Sequence, residues 1–181
     1  MSHDEVTDQV NSQIIPKAYH GTNRESCDTI LNDGFEKRGG TNAYLGPGVY
    51  FYDNCLDCAI WWASDKKKIL EEDIRVLEAE LDLGICIDCF NTDDQDQIAR
   101  AKTIMQMRND RVGKRDRISE PDVIAYLVQT NPGFDSIRAL HLPEKRETLY
   151  PGSRLFRYSR IVICMLTLKN IRDVRKVYPA T

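Results

Sequence analysis

The sequence has no apolar run of about 18 residues, and its amino terminus lacks the charged-then-apolar pattern that ends in a small-residue cleavage site. Neither a membrane-spanning helix nor a signal peptide is expected, which places the protein in the cytoplasm with no membrane partner. A strong charge of either sign is also missing. Lys and Arg number 25 against 28 Asp and Glu, and the net charge of −3 argues against a global electrostatic grip on nucleic acid or anionic lipid. Only a local basic face stays open. No internal repeat, low-complexity tract or partner-recruiting module breaks the chain.

What is present suffices for one compact domain. With 181 residues, 41% of them hydrophobic, the chain can bury a core that positions a cleft. Residues 1–12 are polar and acidic and read as a loose arm, leaving 13–181 as a single α+β domain. Ile15 to His20 reads as a strand. Arg24 to Asp33 reads as a helix closed by Gly34, with Cys27, Ile30 and Leu31 on one face. A glycine-rich connection from Gly39 to Gly48 leads to a strand at Val49 to Tyr52 and a helix over Leu56 to Ile69. Ile74 to Cys89 reads as one or two strands broken at Gly84, with alternation from Arg75 to Leu83 marking a half-buried sheet. Ile98 to Arg108 has helical spacing, and Val123 to Gln129 is apolar, with helix favoured. Strands are expected over Phe134 to Leu142 and Ile161 to Leu168, and Ile171 to Tyr178 closes an edge.

The six cysteines include two CxxC pairs, Cys55/Cys58 and Cys86/Cys89. Paired CxxC motifs signal zinc when they sit on knuckle turns. Here one pair falls by an expected helix and the other ends an expected strand, where residues three apart face opposite ways. The favoured reading is cysteine as a small buried hydrophobe in a reducing compartment, with a small zinc-binding interaction domain kept as an alternative.

The chemistry concentrates in three places. Tyr19-His20-Gly21-Thr22 sets a histidine beside a glycine that allows close backbone approach. Gly46-Pro47-Gly48-Val49-Tyr50-Phe51-Tyr52 sets a Gly-x-Gly turn before an aromatic strand, and Cys58-Ala59-Ile60-Trp61-Trp62 follows it. A late acid, Glu147 in Arg146-Glu147-Thr148-Leu149-Tyr150, precedes the apolar run Ile161 to Leu166, and Glu144 competes with it. Each motif alone is weak, since glycines at such spacing usually just make turns. Their order and spacing together are specific.

That conjunction resembles the poly(ADP-ribose) polymerase-like, or diphtheria-toxin-like, His-Tyr-Glu branch of the ADP-ribosyltransferases, over nearly the whole chain. The resemblance implies two bent antiparallel sheets enclosing an NAD cleft, with flanking helices. It implies NAD as a consumed ADP-ribose donor and no metal. Laid over the family pattern, His20 would bond a ribose hydroxyl, the Gly21 backbone would grip the nicotinamide amide, and Thr22 beside them would be a further NAD-binding residue. Tyr50 would stack on the ring, Trp61 would form the second aromatic wall, and Glu147 would be the catalytic acid. Cys58 stands where the family has a serine, and a thiol is a poor donor. Trp62 is expected in the core or at the rim.

A small stand-alone chain of this kind is similar to the toxin and defence members, which transfer one ADP-ribose unit to a protein or nucleic acid and need an inhibitory partner (an antitoxin) in the host. Arg108, Arg111, Lys114, Arg115 and Arg117 form a local basic stretch, interleaved with Asn109, Asp110, Asp116 and Glu120. That pattern fits a solvated loop as well as a phosphate contact. A catalytically inactive NAD- or ADP-ribose-binding module is the other alternative.

Overall fold

A computed structural model of the chain describes residues 12–37, 43–141, 148–154 and 160–179. Seven strands form one mixed sheet: β1 (Ile14–Asn23), β2 (Val49–Asp53), β3 (Ile74–Asp82), β4 (Cys86–Asp88), β5 (Ser136–Leu140), β6 (Ile161–Met165) and β7 (Ile171–Tyr178). Their order across the sheet is β4-β5-β6-β2-β1-β3-β7, antiparallel except for the parallel β4/β5 edge. The helices are α1 (Arg24–Asp33), α2 (Leu56–Trp61), α3 (Thr92–Arg111) and α4 (Glu120–Thr130). The fold is α+β. The two expected sheets are one hydrogen-bonded sheet, although its middle is thin. β1 and β2 pair only through Ala18↔Asp53 and Tyr19↔Tyr52.

Local chemistry sets most boundaries. Asn23 ends β1 and caps α1, its side chain accepting from the Ser26 N–H at 2.8 Å, and Gly34 with φ 87° closes that helix. Ser119 and Asp122 form a capping box at the start of α4, with Pro121 in its first turn. α3 begins at Thr92 rather than Ile98, because Asn91 caps it well before its apolar face starts. The expected helix from Leu56 to Ile69 is α-helical only to Trp61 and then widens into a π-turn, Trp62–Lys66. β6 stops at Met165, short of the expected Leu168, and a 3₁₀ turn at Leu168–Asn170 redirects the chain into β7.

Both faces of the sheet are packed, so strand residues alternate between two cores. Tyr52, Ile137, Val162 and Cys164 belong to the larger, which includes Val123, Ile124 and Leu127 of α4. Phe51, Leu81, Ile163 and Met165 fill the other. Gly48 is required at the entry to β2, since a β-carbon there would lie 2.6 Å from the Met165 carbonyl oxygen. Arg138 of β5 ties three strands together by bridging Asp53 of β2 at 3.1 Å and Asp88 of β4 at 3.3 Å, with all three side chains mostly buried.

Cys55 and Cys58 are joined by a disulfide, which corrects the reading of this pair as free thiols. The Cys55 sulfur also caps α2 by accepting from the Cys58 N–H at 3.3 Å. Cys86 and Cys89 are free. Among the described residues no group of three or more His, Cys, Asp or Glu side chains is placed to hold a metal ion, and no helix is long and apolar enough to cross a membrane.

Candidate active site

The thin middle of the sheet creates the site. Beyond Tyr19, β1 follows β3 as far as Asn23, whereas β2 follows β6. The two halves part, and a side chain takes over where the ladder stops. His20 Nδ1 lies 2.8 Å from the Tyr50 carbonyl oxygen. A carbonyl only accepts, so Nδ1 carries the proton. Burial is the largest influence on this imidazole and, with the nearby Lys67 charge, lowers its pKa from 6.5 to about 4, against the opposing pull of the Tyr50 carbonyl. At neutral pH the ring is uncharged, which leaves Nε2 as a bare lone pair. Such a nitrogen accepts from a hydroxyl and cannot donate to one. Phe35 and Phe51 pack against the ring with centroids 5.4 and 5.6 Å away and hold it in this orientation.

A cleft of about 480 Å³ opens along this parting. Its lining includes His20, Gly21 and Thr22 of β1 together with Thr29, Gly34 and Phe35 from α1 and its exit. Tyr50 of β2 lines it as well. The phenol oxygen accepts from the Leu45 N–H at 2.9 Å and donates to the Gly46 carbonyl at 2.7 Å, so the ring is pinned to the turn that precedes its own strand. Burial raises its pKa well above the ordinary value and keeps it protonated. Gly21 is set by packing: a β-carbon there would be driven into the Ala59 carbonyl of α2, so the absent side chain lets a helix backbone sit against β1. Lys67, just past the π-turn, also lines the cleft and donates to the Gly21 carbonyl at 3.2 Å.

The lining also contains an aromatic cluster around His141. Tyr44, Tyr52, Trp62 and His141 all line the cleft. His141 is the hub, with the Tyr44, Trp61, Trp62 and Tyr52 ring centroids at 5.8, 6.1, 6.1 and 6.5 Å. Its Nδ1 is 3.4 Å from the Tyr52 hydroxyl, and its backbone N–H donates to the Arg160 carbonyl at 2.8 Å, which extends the β5/β6 ladder by one pair. Desolvation, then the charges of Arg160 and Lys66, lower its pKa and favour the neutral ring. The Arg160 guanidinium lies 3.6 Å from the Trp61 centroid, in stacking distance.

Four of the residues singled out by sequence, His20, Gly21, Thr22 and Tyr50, thus line one cleft. Two sit elsewhere. The Cys58 sulfur is held in the disulfide and the residue is only 2% exposed, so it offers no thiol to a ligand. Trp62, not Trp61, is the tryptophan on the cleft wall. Glu147 and Glu144 lie outside the described residues. Sequence reasoning missed Tyr44, Tyr52, Lys67 and His141 as lining residues. Tyr52 had a signal, being two positions from Tyr50 and therefore on the same side of β2. His141 had none, since its position depends on the long-range β5/β6 register.

No protein-family model matches the sequence, and no curated protein matches it.

Proposed function

We propose that the protein is a mono-ADP-ribosyltransferase that binds NAD in this cleft and transfers one ADP-ribose unit to a macromolecular acceptor, and that the parted sheet is an ADP-ribosyltransferase fold. One observation carries the reading: the divergence of β1 and β2 brings His20, Gly21, Thr22 and Tyr50, which are some thirty residues apart in two sequence motifs, onto one cleft with a neutral, Nδ1-protonated histidine. That tautomer suits a ribose hydroxyl, which can donate to Nε2. Tyr50, immobilised at its hydroxyl, offers a fixed ring against which nicotinamide packs.

The reaction breaks the bond between nicotinamide and the ribose carbon, and the bonding electrons leave with nicotinamide. An acceptor lone pair forms the new bond to that carbon, and the acceptor's proton passes to a carboxylate. Glu147 is assigned this carboxylate on the sequence pattern. Its charge also stabilises the oxocarbenium-like transition state more than the ground state. In a host, such an enzyme acts as a toxin or defence effector and is restrained by an inhibitory partner.

The test is nicotinamide release from NAD by the purified wild type and the Glu147→Gln variant. Release by the wild type alone supports the reading. The second reading, an NAD- or ADP-ribose-binding module, draws on two observations: Cys58 is locked in a disulfide, and the Gly21 carbonyl already accepts from Lys67. Saturable NAD binding by calorimetry with no release by either protein would select it.

A further inference from the structure

The Cys55–Cys58 disulfide sits at a corner between two elements that build the cleft. β2, which supplies Tyr50 and Tyr52 to the lining, ends at Asp53. Asn54 turns the chain with φ 45°, and Cys55 then caps α2. α2 runs into the π-turn, whose first residue, Trp62, lines the cleft, as does Lys67 just beyond its end. The bond therefore ties the exit of β2 to the first turn of the helix that leads to Trp62 and Lys67.

This stretch fits β1 without slack. Ala59, the residue after Cys58, holds its carbonyl where a β-carbon on Gly21 would overlap it, and the Ala63 methyl lies 3.4 Å from the same point. Both alanines are fully buried. Lys67 is anchored twice, its backbone N–H donating to the Trp62 carbonyl at 3.0 Å and its Nζ to the Gly21 carbonyl. Six residues of α-helix do not hold by themselves, so the first turn depends on its cap and its cross-link. Both come from Cys55, whose sulfur accepts from the Cys58 N–H. Opening the bond frees Cys55 to leave the cap, and the loosened turn is the one that carries Ala59 against Gly21.

The two cysteines differ in access. Cys58 is buried in the larger core, whereas Cys55 is half-buried and lies between the exposed Asn54 and Asp57. An incoming thiolate reaches the Cys55 sulfur first.

We infer that Cys55 and Cys58 form a thiol–disulfide exchange site whose reaction partner is a dithiol, and that the state of this bond sets how firmly α2 and the π-turn hold the cleft wall. A thiolate of the dithiol attacks the Cys55 sulfur. The S–S bond breaks, and its electron pair leaves with the Cys58 sulfur, which takes up a proton. The second thiol of the partner then displaces Cys55, which leaves as a thiol, and the partner departs as a disulfide. Two electrons and two protons have passed to the protein, and exchange with a disulfide partner reverses the sequence. The closed bond is the state with the firm wall.

The experiment compares the full chain, oxidised or treated with dithiothreitol, in the absence of NAD. Iodoacetamide should label Cys55 only after the dithiol. Amide exchange across α2 and the π-turn should then quicken by about fivefold or more, the order expected when a helix loses its cap, while β5 and β6 keep their protection. Cys55→Ala removes the bond and leaves the buried Cys58 in place. It should exchange like the reduced wild type and ignore the dithiol. The link to NAD rests on the transferase reading, under which calorimetry should show weaker NAD binding after reduction of the wild type and no such change in Cys55→Ala. Labelling of Cys55 before reduction, unchanged exchange in α2 after it, an equal response of Cys55→Ala to the dithiol, or NAD bound equally in both states would overturn the inference. No NAD binding in either state, with exchange that still follows the dithiol, rejects the NAD reading and upholds the exchange site.

Discussion

Acidification should destabilise the protein through His20, and the size of the effect follows from its position. The neutral imidazole donates to the Tyr50 carbonyl in a desolvated setting beside Lys67, which lowers its pKa from 6.5 to about 4. As pH falls, the unfolded chain takes up the proton first. The contribution of the neutral ring is therefore complete above about pH 6.5, declines as pH drops toward about 4, and does not change further below that. At about 1.4 kcal/mol per unit, the full span amounts to about 3 kcal/mol, of which about 2 kcal/mol falls between pH 7 and pH 5. Urea unfolding at those two pH values, compared between wild type and His20→Asn, isolates this residue from His141, whose pKa is lowered in the same direction. The variant should lose about 2 kcal/mol less than wild type on going to pH 5. Proton NMR of the imidazole gives a direct reading. A His20 ring that titrates near 6.5, or identical pH dependence in the two proteins, would refute the reasoning.

Gly21→Ala should lower stability by about 1–3 kcal/mol or more in chemical denaturation, because the new methyl meets the Ala59 backbone carbonyl and not a yielding side chain. Tyr50→Phe strips partners from the Leu45 N–H and the Gly46 carbonyl, and should cost about 1–3 kcal/mol while increasing amide exchange in the turn before β2. Arg138→Met leaves Asp53 and Asp88 mostly buried beside each other, and should cost about 3–5 kcal/mol by urea midpoint at constant m-value. If the cleft holds nicotinamide, Trp62→Ala should raise the apparent KM for NAD more than Trp61→Ala does, since only Trp62 lines the wall.

The local elements were legible where capping and periodicity agree. Asn23 and Gly34 bracket α1, and Val49 to Tyr52 announces β2 through its β-branched and aromatic content. The start of α3 was less legible because its first turns are polar and solvent-facing, so a capping Asn91 outweighs the missing hydrophobic spacing. The π-turn at Trp62–Lys66 has no sequence signature, and it determines which tryptophan faces the cleft. The union of the sheet is also a long-range fact. Two residue pairs between β1 and β2 join what motif reasoning treats as separate sheets. At the site, the histidine and tyrosine motifs pointed to one place, whereas His141 and Arg160 come together only through the register of β5 on β6. The Cys55–Cys58 bond was missed because a CxxC pair at a helix start equally suits two buried thiols.

The proposed activity is NAD cleavage in the cleft between the two halves of the sheet. Its most direct measurement is the rate of nicotinamide release from NAD by wild type, His20→Ala and Glu147→Gln proteins whose folding has been checked by circular dichroism. The account predicts release by the wild type, a fall of at least about a hundredfold in Glu147→Gln, as loss of a transition-state charge partner implies, and a marked fall in His20→Ala. Equal rates in all three, or no release by a wild type supplied with single-stranded RNA, DNA and protein acceptors, would contradict it.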